Sequence, residues 1–554
     1  MTANGTTGYR TGLTVATVLL LLVAGPGLLQ ADPAQTVAPL SVGVGDTLSF
    51  DPDGRVIDSI IIDNRNIYDT DDPRYDAFLF KLANNLHIVT REKVIRRELL
   101  FETGDRYDQE IALETARNLR VRFPFNDAWI DVVEASDSSV VVRVVTIDQW
   151  SLIGGVRSVD TDGNETNIRV GFEERNLLGR AQFLSFDFDY QEEDENFITT
   201  VFRDNRLFGY PMRFALGYSD NPKGEVRELI FGRPFYSLEQ RFSFLLGLAR
   251  TGGRVERFFD GDQVAQWQAD ADQVDLEVRY RWGPYHRKLG LVGEYDYVYK
   301  RVSDRRILDT AGFARTGFPN DSLYHQFNVG MEYTFRRFLV VKRINGFEYN
   351  EDFNAGVEFS ATTGRAFNTS FDDYLYDFIE LEASATDRLA GHIVSAEYNR
   401  SFWFRREDDF RRLTEFRLWI YNNQLDFMTV AFKTAYVSDK SDDPNPLALG
   451  GKSGLRGYDT EFRSGDRAHV INLEARLYPG FELLSVKLGA AVFADLGRTF
   501  TTGEKFTLDD YYASVGAGLR LSFEKFTRAE LARIDVAVTR DGNVQVSLGT
   551  GQYF

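Results

Sequence analysis

The sequence contains no cysteine among its 554 residues, which excludes both a disulfide framework and a thiolate metal site. Its five histidines are scattered along the chain, and no two of them have the spacing of a pair of metal ligands. Motifs for nucleotide binding and for an activated nucleophile are also lacking. We therefore expect no catalytic residue, no metal and no cofactor, and the chain is not predicted to be an enzyme.

The chain also lacks an excess of basic residues and, beyond its N-terminus, any long apolar run. Its 64 lysines and arginines against 83 aspartates and glutamates give a net charge of −19, which argues against nucleic acid as a partner. A transmembrane helix would need a run of about 18 apolar residues. A transmembrane β-barrel stays open as an interpretation, because its strands bury only alternate residues in lipid.

The N-terminus has the pattern of an export signal over residues 1–31. Arg10 precedes an apolar core from Thr11 to Gly25, and the sequence LLQAD allows cleavage after Ala31. Residues 32–54 follow as a short polar lead-in. The pattern predicts that the rest of the chain leaves the cytoplasm.

Residues 55–150 change their hydrophobic period repeatedly, as a small α+β domain does. RVIDSIIIDN reads as a strand, TREKVIRREL as a helix that opens at a Thr90 cap, and YDQEIALETARNLRV as a second helix. Two alternating segments, DAWIDVVEAS and SSVVVRVVTI, complete a β-α-α-β-β order with the helices on one face of the sheet. We interpret the Asp- and Asn-rich stretch from Asp69 to His87 as an insertion.

From residue 151 to residue 554 the helical period disappears, and alternating segments follow one another. In HVINLEARLYP, for example, Leu473 and Ala475 face one way and Glu474 and Arg476 the other. Each segment is long enough for a tilted strand to cross a membrane, and aromatic residues cluster at segment ends. A soluble β-sandwich also alternates but uses far fewer strands. We predict an all-β transmembrane barrel of about 16 antiparallel strands and assign surplus candidate segments to external loops.

One loop, residues 447–466, carries an unusual motif for a surface connection. The motif residues are Gly450, Gly451, Gly454, Leu455, Arg456, Gly457 and Tyr458. By period two alone, Glu474 and Asp495 on the next two strands face the lumen, where an arginine on an inserted loop would reach them. We expect a wet lumen, in which this pairing would hold the loop in register more than it would stabilise the barrel. The alternative is an external loop with an incidental arginine.

The combination of GGKSGLRGY with NLEARLYP and FADLG is more specific. It resembles the barrel signature of the outer-membrane assembly and translocation superfamily of BamA, TamA and FhaC. FEERNLLGRAQFLSFDF, from Phe172 to Phe188, is similar to an early barrel segment of that family, and ELLFETGDRYDQEIALETARNL is similar to its POTRA module. The resemblance implies a single POTRA-like periplasmic domain at 55–150 and an outer-membrane barrel at 151–554.

The resemblance also implies roles for individual residues. The loop is expected to insert into the lumen, where Arg456 would contact Glu474 and Asp495. The first strand, Ser151 to Ser158, and the last, Val544 to Phe554, are expected to meet at a weak seam that opens sideways. The residues assigned to the last strand and its C-terminal signal are Ser547, Gly549, Gly551 and Phe554, with Gln552 standing where a hydrophobic residue is usual.

The implied function is assistance in the insertion of outer-membrane proteins, or translocation of polypeptides, through that seam. The expected location is the outer membrane of a Gram-negative bacterium, with the N-terminal domain in the periplasm. The expected partners are the lipid bilayer with its lipopolysaccharide, unfolded outer-membrane or secreted polypeptides, and periplasmic or lipoprotein helpers. Two other classes stay open: a passive gated pore, against which the POTRA-like domain argues, and a surface-exposed binding or structural barrel.

Overall fold

The computed structural model describes residues 51–554, apart from positions 124, 163–164, 192–195, 222–223, 315–316, 320, 372, 406–407, 442–445, 502, 505–506, 508–509 and 526–530. The predicted export signal at 1–31 and positions 32–50 of the lead-in lie outside the described residues. Among the helices of the described part, none is long and apolar enough to cross a membrane.

The first elements form an N-terminal α+β unit. They are β1 (Val56–Arg65), α1 (Phe78–Leu86), α2 (Glu92–Arg96), α3 (Gln109–Arg122), β2 (Phe125–Ala135) and β3 (Ser139–Asp148). The sheet order is β1-β3-β2, with β1 parallel and β2 antiparallel to β3. Ile95 of α2 and Leu119 of α3 are buried against Val142 of β3. α3 begins where the Asp108 carboxylate caps it by accepting hydrogen bonds from two main-chain N–H groups.

Two details of this unit differ from the sequence-based expectation. The stretch interpreted as an insertion, Asp69 to His87, contains the helix α1. Helix α2 begins after Arg91, so Thr90 is not its cap. Thr90 is buried instead: its main-chain N–H donates to Asp148, and its hydroxyl accepts a hydrogen bond from Asn176 of the following region. In the sequence alone, a threonine just before a helical segment has the pattern of a helix cap. Partners that are distant in the sequence, such as Asp148 and Asn176, cannot be read from that pattern.

The remaining strands form a closed antiparallel barrel of 20 strands. In chain order the elements are β4 (Leu152–Asp162), β5 (Glu165–Glu174), β6 (Phe183–Gln191), β7 (Phe197–Asp204), β8 (Arg213–Asn221), β9 (Gly224–Arg233), β10 (Phe242–Phe259), β11 (Asp262–Trp282), β12 (Arg287–Ile307), α4 (Thr310–Phe313), β13 (Ser322–Val341), β14 (Glu351–Phe367), β15 (Tyr374–Leu389), β16 (His392–Arg405), β17 (Asp408–Leu425), β18 (Met428–Ser441), the separate hairpin of β19 (Leu447–Leu449) and β20 (Arg463–Gly465), β21 (Arg467–Leu483), β22 (Val486–Phe500), β23 (Tyr512–Ser522), β24 (Leu531–Thr539) and β25 (Val544–Thr550).

The strand count of about 16 is therefore too low. The surplus candidate segments belong to the wall and not to external loops. Alternation alone does not distinguish these two cases, because a hairpin that extends beyond a membrane alternates in the same way as one that spans it.

The two faces of the wall differ in polarity. Outward-pointing side chains are large and apolar, as Leu473, Val492 and Val546 illustrate, and all three are exposed. Their inward-pointing neighbours, such as Glu474 and Asp495, are charged and buried. An apolar exterior around a polar interior is the arrangement of a transmembrane barrel. We call the end at which β4 begins the near rim and the opposite end the far rim.

Candidate functional site

The glycine-rich loop between β18 and β21 lies inside the barrel. Its ends pair as the hairpin β19–β20, and Leu455 and Tyr458 pack against Val470 of the wall. Gly457 runs so close to β24 that a Cβ atom at this position would lie 3.1 Å from Ala537. The motif glycines that adopt a positive φ are Gly450, Gly451, Gly454 and Gly457. These conformations, which glycine adopts without steric cost, allow the loop to turn tightly along the wall.

Arg456 in this loop contacts both acids selected from the alternation. Its Nε and Nη2 atoms donate to the two carboxylate oxygens of Asp495 at 2.7 and 3.0 Å. Its Nη1 atom donates to Glu474 at 2.7 Å. The guanidinium also lies over the ring of Phe493, with its central carbon 3.5 Å from the ring centroid. The structure thus brings together the three residues that the motif and the alternation singled out.

This cluster excludes water. Arg456 is 2% exposed, and Glu474 and Asp495 are 0% exposed. The expectation of a wet lumen is wrong at this place, because the inserted loop covers the two acids. Removal of one member of a buried ion pair leaves an uncompensated charge and costs about 3–5 kcal/mol. The pairing is therefore a substantial part of what holds the loop inside.

Further members of the network lie on the same lumen face. Asp535 of β24 accepts hydrogen bonds from Arg520 at 2.5 Å and from Arg533 at 3.0 Å. Arg476 of β21 donates to Glu474 at 2.9 Å. The sequence analysis did not assign these residues to the site, although the same period-two rule places them on that face. Together they join β21, β22, β23 and β24 to the loop.

The last residues of the chain leave the wall and enter the lumen. Strand β25 ends at Thr550, and Gly551 has a φ of 73°, which redirects the backbone inward. Phe554 packs against a buried cluster that includes Ile344 and Ile393. The expectation that the last strand continues to Phe554 is therefore wrong. Gln552, which stands where the resemblance implies a hydrophobic residue, is 5% exposed and also lies inside.

This C-terminal tail, residues 551–554, binds the charged network. The Gln552 side-chain oxygen accepts a hydrogen bond from Arg520 at 3.2 Å. The Tyr553 hydroxyl donates to the main-chain oxygen of Gly451 at 2.5 Å, and the Arg456 guanidinium lies 4.1 Å from the centroid of the Tyr553 ring. No local sequence signal marks this reversal apart from the glycine that permits it. The tail connects the last strand to the Arg456 loop.

The first and last wall strands close the barrel where the resemblance places the seam. Every other pair of neighbouring wall strands has a residue-by-residue register; Ser547 of β25, for example, lies opposite Asp535 of β24, and Ile153 of β4 lies opposite Glu173 of β5. Between β25 and β4 the described residues give no such register. Gly549 of β25 lies against the Arg533 guanidinium, 2.6 Å from where a Cβ atom would be. Each seam strand is thus fixed by its other neighbour.

Helix α3 rests on the near rim. The Glu114 carboxylate accepts from the main-chain N–H of Leu238, between β9 and β10, at 2.7 Å and from the Tyr285 hydroxyl, between β11 and β12, at 2.6 Å. Arg120 donates to Asp352 of β14 at 2.7 Å. Burial raises the pKa of Glu114, and these two hydrogen bonds offset part of that effect. The helix therefore docks the N-terminal unit on the barrel through buried polar contacts.

Comparison with known proteins finds similarity in solved structures only. No protein-family model and no curated protein match the sequence. The chain is similar to a crystal structure of BamA from Haemophilus ducreyi lacking POTRA domains 1–3, with a TM-score of 0.41 and 10% identity over 89% of this chain and 84% of that one. For CdiB from Acinetobacter baumannii the TM-score is 0.40 and the identity 11%, over 90% of this chain and 73% of that one. For CdiB from Escherichia coli the TM-score is 0.36 and the identity 10%, over 97% of each chain.

Proposed function

We propose that this chain is an outer-membrane barrel that assists the insertion of other outer-membrane proteins, or the translocation of a polypeptide, through the seam between β25 and β4. In this proposal the N-terminal unit is a POTRA-like domain in the periplasm, and the near rim faces the periplasm. The observation that carries the proposal is the closure of the barrel between β25 and β4: the seven-residue β25 is a hydrogen-bonded neighbour of β4, but among the described residues only the other neighbours of these two strands have a defined register with them.

The chemistry of an unfolded barrel client explains why such a seam would be useful. A strand that enters lipid cannot leave its main-chain N–H and C=O groups unpaired, because each unpaired group costs several kcal/mol there. Once the seam opens, the freed edge of β25 or β4 offers those groups a partner by β-augmentation. Strand β25 has only seven residues, so few hydrogen bonds need to break before a client strand takes its place. The process needs no nucleotide, since folding of the client supplies the free energy.

The Arg456 network fits the role of a fixed support beside the moving strand. It joins β21 to β24, and β25 lies one strand beyond it in the wall. The tail links β25 to the network through Gln552 and Tyr553. Release of the tail would therefore remove one restraint on β25, which its pairing with β24 and the contact of Gln545 with Asp459 would still hold.

The N-terminal unit can supply clients in the same way. Strand β1 lies at an edge of its sheet. Residues 104–107 hydrogen-bond to the start of β1, so an extended polypeptide can add to the rest of the strand. Docking of α3 on the near rim holds this edge strand close to the barrel. A passive pore has no use for such a domain, which favours the assembly or translocation function.

Site-specific photocrosslinking in cells tests the proposal. The crosslinker is placed at Ser547 of β25 and at Ile153 of β4, with Val329, an exposed outward residue of β13, as a control in the wall away from the seam. We expect both seam positions to trap nascent outer-membrane barrels and the Val329 position not to. Crosslinks to one secreted polypeptide would indicate a dedicated translocator. Seam positions that trap only each other, or no more than Val329 does, would contradict the proposal and favour a pore or a surface-binding barrel.

A further inference from the structure

Helix α1 presents an apolar face that the N-terminal unit leaves uncovered. None of its residues is buried, and its side chains Phe78, Leu79, Leu82 and Leu86 are all exposed, Phe78 by 74% and Leu86 by 65%. These positions fall within an arc of about 100° on a helix, so they form one continuous stripe. An exposed contiguous apolar patch is unusual on a soluble domain and marks an interaction surface.

The opposite side of α1 fixes how the helix is rotated. The Phe80 ring packs 4.8 Å from the ring of Tyr68 and 5.3 Å from that of Tyr75, measured between centroids. The Asn84 side chain donates to the main-chain oxygen of Tyr68 at 2.8 Å. Because these contacts hold one side of the helix, the apolar stripe points outward as a defined surface.

The segment that carries α1 is tied to the near rim on both sides of the seam. Before the helix, the Tyr68 hydroxyl lies 3.1 Å from that of Ser485, in the connection between β21 and β22. After the helix, Asn176, in the connection between β5 and β6, donates to the main-chain oxygen of Ile88 at 3.0 Å. In the wall, β25 and β4 lie between these two connections. The helix therefore runs along the near rim beside the seam.

The outward apolar surface of the wall reaches the segment that carries α1. On the outer face Phe481 pairs with Leu488, and the tip of the same hairpin exposes Leu483 and Leu484. Glu482 of this tip accepts a hydrogen bond from Tyr75, in the segment ahead of α1, at 3.3 Å. The surface that faces lipid on β21 and β22 thus extends through the hairpin tip to the α1 segment.

We propose that α1 lies in the headgroup–acyl boundary of the periplasmic leaflet, with its apolar stripe in the lipid. The inference rests on the membrane location and orientation given under the proposed function. Phospholipid is the partner that fits, because the helix is anchored at the level of the rim, beside a hairpin tip that exposes the apolar side chains Leu483 and Leu484. The acids near the helix (Asp69, Asp71, Asp72 and Asp76) outnumber the bases Arg74 and Lys81. Apolar burial, and not attraction to anionic headgroups, is therefore the driving force.

This placement gives α1 a role at the seam. An amphipathic helix in one leaflet displaces headgroups, which perturbs lipid packing where a client would enter. It also fixes the N-terminal unit beside the opening. In this placement α1 perturbs the lipid packing at the point where a client enters.

Single-cysteine labelling of the full chain tests the placement, since the protein has no cysteine of its own. Leu82→Cys on α1, Leu473→Cys on the barrel exterior and Ile61→Cys on β1 are each labelled with an environment-sensitive fluorophore. Leu82 is 39% exposed and Ile61 47%, which makes Ile61 a matched control on an apolar position of the N-terminal unit away from α1. The proteins are folded into phosphatidylethanolamine vesicles with and without phosphatidylglycerol, and quenching by brominated acyl chains is compared with quenching by aqueous iodide.

We expect the label at Leu82 to be quenched by brominated chains as strongly as the label at Leu473, with and without phosphatidylglycerol, and to be shielded from iodide. The label at Ile61 should show the reverse. A Leu82 label that behaves like the Ile61 label, or that is shielded from both quenchers because protein covers it, would overturn the inference while leaving the proposed function intact. A Leu473 label that brominated chains fail to quench would overturn the membrane assignment and this inference with it.

Discussion

The strand pair β21–β22 and the strand pair β25–β4 differ in what holds two strands together. β21 and β22 share a register that runs from Arg467 opposite Phe500 to Leu483 opposite Val486. Their lumen faces contribute Glu474 and Asp495, and Arg456 binds both acids. β25 is seven residues long, and the described residues give no register between it and β4. The network-bound strand β22 and the short strand β25 are only three strands apart in the wall.

The comparison shows that β25 is linked to the Arg456 network through the C-terminal tail. Asp535 places β24, the neighbour of β25, inside the charged network. At its near-rim end β25 continues into Gln552 and Tyr553, which bind the same network. At its far-rim end Gln545 makes a 3.2 Å hydrogen bond with Asp459 of the loop. The loop and the tail therefore restrain both ends of β25, whereas its edge toward β4 is held by the strand contact that closes the barrel.

The largest change in this comparison should come from Arg456→Ala. The substitution leaves Asp495 buried without its cation and removes one of the three guanidiniums that bind Glu474, so we expect the loop to leave the lumen at a cost of about 3–5 kcal/mol. The wall should still assemble, because its strand pairing does not involve Arg456, but client crosslinking at Ser547 should fall. The measurements are barrel mobility on heating in detergent and the yield of those crosslinks.

Arg463→Ala is the control for that variant. Arg463 lies in the same loop, but its side chain contacts Tyr512 and Phe462 outside the Arg456 network. We expect a loss of about 1 kcal/mol and little change in crosslinking. Full activity in a heat-stable Arg456→Ala barrel would refute the role assigned to the loop.

A smaller effect is expected at the tail. Tyr553→Phe removes the hydrogen bond to Gly451 and should cost about 1 kcal/mol. Tyr553→Ala also removes the ring beneath Arg456 and should add about 1–2 kcal/mol. Both substitutions should speed amide exchange in β25, the Ala variant more than the Phe variant, and leave β22 unchanged. Amide hydrogen exchange of the two strands measures this difference. Equal loosening of both strands would contradict the tail's role as a specific link to β25.

The sequence predicted the centre of this site better than its edges. Alternation and the resemblance placed Glu474 and Asp495 with Arg456, and the same alternation would have placed Asp535. The dryness of the cluster could not be read from alternation, because period two says which way a side chain points and not what covers it. The contact of Tyr553 with the loop could not be predicted from the sequence, because it depends on a reversal of the chain at Gly551. Helix α1 was missed because its polar docking residues, such as Asn84, resemble those of a loop.

The smallest predicted effect concerns the docking of α3 on the near rim. Burial raises the pKa of Glu114, and the nearby Arg117 and Arg122 offset this only in part. The docked arrangement therefore favours protonated Glu114. The stability that Glu114 contributes to docking is fully present below the ordinary glutamate pKa of about 4.3, and it is lost as pH rises through the raised pKa. Spin labels at Val121 and Glu239 should show a broader distance distribution as pH rises. Glu114→Gln should give a distribution that does not change with pH, and an unchanged pH response in this variant would assign the effect to another group.

The most direct test of the central claim is amide hydrogen exchange of the full chain folded in a lipid bilayer, followed by mass spectrometry. The claim is that the wall opens between β25 and β4. We expect amides of β25 to exchange much faster than those of β22, with β24 close to β22 because Asp535 holds it in the network. Protection of β25 equal to that of β22 would show a seam as firm as the rest of the wall and would contradict the account.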